Sequence, residues 1–143
     1  MTLLITAPGE TNTIELSQIE MDLIREGIRT KRSTLCEVAE HAKVGKDGEL
    51  YYQEEHVSFA YYRTGYRWED YLPELETRWK ARRIIEESKA VTMPSISMEL
   101  INQKRLQVEI SKPDVYRKYL DENEAALLEQ SLVQFHEFDH MPE

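Results

Sequence analysis

Four short runs rich in apolar, β-branched and aromatic residues punctuate this chain, and the stretches between them repeat their apolar residues at helical spacing. Leu3-Leu4-Ile5-Thr6 reads as a buried strand closed by Pro8-Gly9, after which Ile14, Ile19, Leu23 and Ile24 recur at helical spacing until Gly27. Ile28-Arg29-Thr30-Lys31 is the second strand candidate, and Ser33 or Thr34 can cap a following helix that carries Leu35, Val38 and Ala39. Lys46-Asp47-Gly48 predicts a turn, from which Leu50-Tyr51-Tyr52 leads into a hairpin. Val57-Ser58-Phe59-Ala60-Tyr61-Tyr62 is the strand with the strongest aromatic signature. Pro73 suits the first turn of a helix running to about Ser88, and Ala90-Val91-Thr92-Met93 forms a fourth strand closed by Pro94. Helical patterns follow over residues 96–101, 104–110, 115–120 and 123–135.

Strands and helices taken in turn imply an α/β fold: a mainly parallel central sheet flanked by helices on both faces, three layers in all, with a helical C-terminal portion. A length of 143 residues is that of one ordinary domain, 1–143. In such sheets ligands bind beyond the carboxyl ends of the strands. That rule selects three loops, over residues 8–13, 63–71 and 94–104.

Charge and composition narrow the partners. Eighteen basic against twenty-seven acidic residues give a net charge of −9, which disfavours a nucleic-acid backbone. No apolar run approaches the ~20 residues of a membrane helix, and Met1-Thr2-Leu3-Leu4-Ile5 lacks the basic start of a signal peptide. A single cysteine, Cys36, fits a reducing compartment, so the cytoplasm is the expected location. Twelve of the eighteen basic residues fall between Arg63 and Lys118, whereas Asp121 onward holds seven acidic residues and no Lys or Arg. That contrast suits either a basic central surface for an anionic ligand or a solvated acidic final helix.

Within the selected loops, Arg63-Thr64-Gly65-Tyr66 follows the strongest strand directly. Arginine offers a planar fork of donors for a carboxylate or phosphate, and glycine lets the backbone turn close to a ligand. A surface arginine beside a turn glycine would look the same. Glu10-Thr11-Asn12 could grip an ammonium and a carboxylate, or Asn12 or Thr13 could simply cap the first helix. His136-Glu137-Phe138-Asp139-His140 matches the pattern of a zinc peptidase helix, but it stands at the extreme C-terminus with Pro142 and little chain beyond to supply a third ligand. Cys36, between Leu35 and Val38 and with no histidine at catalytic spacing, reads as a packed thiol.

A series of segments, in order and at consistent spacing, resembles eukaryotic glutathione synthetase. Tyr62-Arg63-Thr64-Gly65-Tyr66 is similar to that family's Tyr/Phe-Arg-x-Gly-Tyr loop, and Trp79-Lys80-Ala81-Arg82 through Glu86-Glu87-Ser88-Lys89-Ala90 to its Trp-x-Ala-Arg-x-x-x-Glu-x-Ser-x-Ala run. Pro94-Ser95-Ile96, Gln103-Lys104-Arg105-Leu106-Gln107 and Ser111-Lys112-Pro113 resemble its later motifs. Upstream, Glu10-Thr11-Asn12 resembles its Glu-x-Asn, and Gly27-Ile28-Arg29 its entry to the second strand. The resemblance implies a substrate-binding domain in a ligase that joins γ-glutamylcysteine to glycine, using ATP and magnesium to activate the dipeptide's carboxyl. It implies that Glu10, Asn12, Arg63 and Tyr66 hold γ-glutamylcysteine and that Lys104 reaches an ATP phosphate. The ATP-grasp body, with its glycine-rich lid and magnesium carboxylates, belongs to other parts of the family's chain. This segment alone is therefore expected to lack activity, as either part of the ligase or a stand-alone binding or scaffold protein that kept the fold. Leu16 stands where the family has a glutamine, and Met93 where it has a cysteine.

Overall fold

The computed structural model describes residues 1–133, which fall into two compact units, Met1–Ser95 and a second from Ile96 onward. The first unit is built on a four-stranded parallel sheet. Its strands are β1 (Thr2–Ile5), β2 (Thr30–Ser33), β6 (Phe59–Tyr62) and β7 (Val91–Met93), in the order β2-β1-β6-β7. A three-stranded antiparallel sheet, β3 (Ala42–Val44), β4 (Leu50–Tyr52) and β5 (Glu55–Val57), is inserted between β2 and β6. Helices α1 (Thr13–Arg25), α2 (Leu35–His41) and α3 (Leu75–Glu86) complete the unit, with a 3-10 turn over Trp68–Tyr71.

Alternation along the strands sorts the layers. Leu3 and Ile5 of β1 and Ala60 and Tyr62 of β6 share one face and join Val38 and Ala39 of α2, Ala81 and Ile85 of α3, and Leu50, Tyr52 and Val57 of the hairpin in a single buried core. Leu4, Arg32 and Tyr61 are register partners on the opposite face. Arg32 reaches from there to α1, donating through Nε to Glu20 at 2.9 Å and through Nη2 to Ser17 at 3.0 Å. The expected three-layer α/β architecture is present.

Several boundaries differ from the sequence reading, each for a local reason. The second strand begins at Thr30, two residues later than the apolar pattern implied. Residues 27 and 28 are spent on closing α1: the Gly27 N–H donates to the Ile24 carbonyl and the Ile28 N–H to the Leu23 carbonyl, both at 2.9 Å, with Gly27 at φ 77°. This is the Schellman closure, for which glycine is the natural residue. The run Val57–Tyr62 is not one strand but two. Val57 ends β5 in the hairpin sheet, and Ser58 switches sheets, donating its N–H to the Met1 carbonyl at 3.1 Å. Pro73 lies ahead of α3 rather than in its first turn, because Glu74 is the N-cap. The turn between β4 and β5 places Gln53 and Glu54 at φ 49° and 66°, the two-residue hairpin geometry that matches strand twist.

The second unit is helical over its described length: α4 (Ile96–Ile101), α5 (Lys104–Ile110), α6 (Pro113–Tyr116) and α7 (Glu122–Ser131). Asp121 caps α7 by accepting from the Asn123 and Glu124 amides, and the Glu124 carboxylate returns to the Asp121 N–H. Glu129 binds α7 to α6, accepting from the Tyr116 hydroxyl and from Arg117, both at 2.6 Å. The candidate zinc motif, His136 to His140, lies outside the described residues.

The cap of α2 makes the fold pH-sensitive in a defined direction. Thr34 accepts from the Glu37 N–H at 3.3 Å, and the Glu37 carboxylate accepts from the Thr34 N–H at 2.7 Å. That backbone bond is the main reason the Glu37 carboxyl lies below its ordinary range; partial burial opposes it, and the hydroxyls of Thr34 and Ser33 add to it. A depressed folded-state value means that the contribution is full above the ordinary glutamate range and is lost as pH falls through the lowered value. Thr34→Ala is expected to destabilise the protein by about 1 kcal/mol near pH 7. Alanine keeps the backbone N–H that lowers Glu37 most and removes only the hydroxyl's share, so the gap from wild type should narrow slightly on acidification, as denaturant titrations near pH 7 and in acid will show.

Candidate ligand-binding site

The chain leaves β1 for β2 in one direction across the sheet and β6 for β7 in the other. The carboxyl ends of β1 and β6 therefore flank the switch point, the place where ligands bind in sheets of this kind. The two strands stay paired to the rim: the Arg63 N–H donates to the Ile5 carbonyl at 2.7 Å. Residues 8–12 follow β1 and Arg63–Tyr66 follows β6, so two of the three loops singled out from the sequence meet here.

Their side chains converge on a residue the sequence reading passed over. Asn12 is the N-cap of α1, yet its side chain makes no cap bond. Its amide nitrogen instead donates to Oε2 of Glu15, and the same oxygen accepts from Arg63 Nη2 at 3.0 Å. Glu10 joins through its Oε1, which accepts the Asn12 backbone N–H at 2.7 Å. Glu10, Asn12 and Arg63 thus lie on one rim. Arg63 is three-quarters buried, and its guanidinium is pushed above its ordinary value, first by interaction with the Tyr61 hydroxyl and then by the charges of Glu15 and Tyr66. It stays charged throughout the range in which a carboxylate ligand is ionised. Tyr66 is half exposed and folds its hydroxyl onto the Tyr62 carbonyl.

The Arg63–Tyr66 loop is braced from the residues that follow it. Oδ2 of Asp70 accepts from the amides of Gly65, Tyr66 and Arg67 at 3.0, 2.9 and 3.1 Å. The Tyr71 hydroxyl donates to the Gly65 carbonyl at 3.2 Å, and its ring stacks on Trp79 with centroids 4.2 Å apart. Gly65 sits at φ 87°, where a Cβ would lie 3.2 Å from the Tyr71 hydroxyl, so both backbone conformation and space call for glycine. Arg82 is 2% exposed, its guanidinium 3.9 Å from the Tyr62 ring centre and its Nε 2.9 Å from Glu86. A small cleft beneath the rim is lined by Thr6, Thr34, Cys36, Thr64, Asp70 and Arg78, so Cys36 is a half-buried neighbour of the loops.

Leu16, Gln18 and Lys104 stand away from this group of contacts in their hydrogen bonding. Leu16, at the position where a glutamine was expected by resemblance, is fully buried on the sheet side of α1 and offers no hydrogen bond to the rim. Gln18 lies on the outward side of that helix with Ile14 and Met21. Lys104 opens α5 in the second unit, its Nζ donating to Gln107 Oε1 at 3.2 Å. Glu15 could have been noticed as the acidic residue in the first turn of α1, three positions after Asn12; its pairing with Arg63, 48 residues away, had no local signal.

The eukaryotic glutathione synthase family profile matches residues 1–101, the stretch containing this rim and its braces. The chain belongs to that family. It is 31% identical to glutathione synthetase of Xenopus laevis over 118 residues, covering 82% of this chain and 24% of the relative. It is 39% identical to the chloroplastic glutathione synthetase of Solanum lycopersicum over 97 residues, covering 68% of this chain and 17% of that protein. With the chloroplastic glutathione synthetase of Arabidopsis thaliana identity is 36% over 124 residues, 85% of this chain and 22% of the relative. The chain thus spans a quarter or less of the length of these relatives.

Arg82 offers a direct check on the bracing. Removing its guanidinium leaves Glu86 partnerless in a largely buried position and uncovers the Tyr62 ring, so Arg82→Ala is expected to cost about 3 kcal/mol by chemical denaturation. Arg82→Lys should recover less than half of that, since an ammonium cannot both stack flat on the ring and reach Glu86.

Proposed function

We propose that this chain is the γ-glutamylcysteine-binding portion of a glutathione synthetase, with Glu10, Asn12, Arg63 and Tyr66 holding the dipeptide. The convergence of Asn12 and Arg63 on one oxygen of Glu15, in a member of this family, carries the reading. γ-Glutamylcysteine bears two carboxylates and one ammonium. A guanidinium fork suits a carboxylate, the Glu10 carboxylate suits the ammonium, and the Asn12 amide can serve either. To admit the ligand, Arg63 exchanges Glu15 for a ligand carboxylate. The exchange is cheap, because a half-exposed ion pair of this kind contributes about 0–1 kcal/mol.

ATP and magnesium are part of the same proposal for the complete ligase. When bound, ATP would supply the phosphoryl group that activates the dipeptide's carboxyl, and Lys104 carries the ammonium that would meet a phosphate oxygen. Among the described residues no three carboxylate, imidazole or thiolate side chains converge on one point, so magnesium is assigned to none of them. The part played here by this chain is binding and orientation. The buried, apolar Leu16 favours a second reading, a scaffold that kept the fold without the ligand.

Titration of the isotope-labelled chain with γ-glutamylcysteine separates the two. A site open to water on one side must offset lost translational and rotational freedom, so affinity on the order of millimolar is expected, about −4 kcal/mol. Amide resonances of residues 10–12 and 63–66 should shift, Arg63→Ala should abolish those shifts, and Arg63→Lys should restore little. No shifts at tens of millimolar ligand would favour the scaffold.

A further inference from the structure

Past Arg63 the chain has left the sheet, and the amides of Gly65, Tyr66 and Arg67 point to no strand. All three go to a single oxygen, Oδ2 of Asp70, within 2.9–3.1 Å. One of these bonds is the ordinary return of an N3 carboxylate to the N-cap of the 3-10 turn. The other two exceed what capping needs, and they fix Gly65 and Tyr66, two of the three residues between Arg63 and the N-cap. The carboxylate is 15% exposed, and its nearest cation, Arg67 Nη2, stands 3.7 Å away on the other oxygen. Successive N–H groups curled around an anion form a concave nest, and here the anion is the protein's own. Asp70 is itself held from behind, because Arg78 Nη1 donates to its carbonyl at 2.8 Å while Arg78 Nη2 pairs with Glu74 at 2.6 Å.

We infer that Asp70 is a positioning residue for the candidate site: its carboxylate is the template on which the Arg63–Tyr66 loop takes its shape, and ligand affinity depends on that template. The functional half of this rests on the γ-glutamylcysteine reading above; the template half does not. The carboxylate acts through geometry as well as charge. Moving the oxygen by one methylene breaks the three-way convergence as surely as neutralising it.

The test uses the whole chain and three variants. Amide protons that donate to a carboxylate resonate downfield, so in Asp70→Asn the Gly65, Tyr66 and Arg67 signals should move upfield together, without ligand present. Asp70→Glu, which keeps the charge, should fail to restore them. Affinity for γ-glutamylcysteine should fall about tenfold in both variants. Ile85→Val trims the shared core without touching the loop and lowers the melting temperature, yet it should leave affinity unchanged. If the three amides do not move in concert, or if Asp70→Glu restores both their positions and the affinity, the inference is overturned. It is equally overturned if wild type binds and Asp70→Asn binds as well. If wild type binds no γ-glutamylcysteine while the amides respond as expected, the substrate reading fails and the template stands.

Discussion

The pairing of β1 with β6 is the constraint on which the rest of the first unit hangs. Residues near the start of the chain and others more than fifty positions later must meet in parallel register, Thr2 against Phe59 through Ile5 against Tyr62. Parallel neighbours cannot be joined by a tight turn. The intervening chain supplies α1, β2, α2 and the hairpin sheet, and of these α2 and the hairpin sheet share one core with the alternate side chains of the same two strands. Because the register ends with the Arg63 N–H on the Ile5 carbonyl, it also decides which residues are delivered to the rim. A slip of one residue would turn Tyr62 and Ile5 out of the core.

The parts of this arrangement that were legible in the sequence are those whose causes are local. The apolar run of β1, the helical spacing of α1 and a cap at Ser33 or Thr34 need nothing from the rest of the chain. The parts that were misjudged depend on pairing. Val57 through Tyr62 has one uniform pattern, yet Val57 pairs with Leu50 while Phe59 pairs with Thr2 and Val91. Nothing in the pattern says where the sheets divide. The start of β2 was displaced because the Ile28 N–H, which looked free for a ladder, belongs to the closure of α1.

The site shows the same division. Glu10, Asn12, Arg63 and Tyr66 stand in recognisable short motifs, so they could be put forward as candidates from the sequence. The pairings of Glu15 and Asp70 had no local signal, since one acts across 48 residues and the other gathers three amides that only a folded turn aligns. At Asn12 the backbone and the side chain take different roles. The backbone is the N-cap, but the side chain is diverted to Glu15. Side-chain destination, unlike backbone role, is settled by what the neighbouring loop brings.

At the outer edge of the parallel sheet, β7 is three residues long and is followed at once by Pro94, which has no N–H to offer. Val91 and Met93 are nonetheless 62% and 52% exposed. An incoming strand would find almost no ladder to extend there, because proline and brevity blunt the edge. Contact at this border is left to side chains alone. It would be greasy rather than directional and indifferent to ionic strength, able to accept a packed surface but a poor template for fibrous growth.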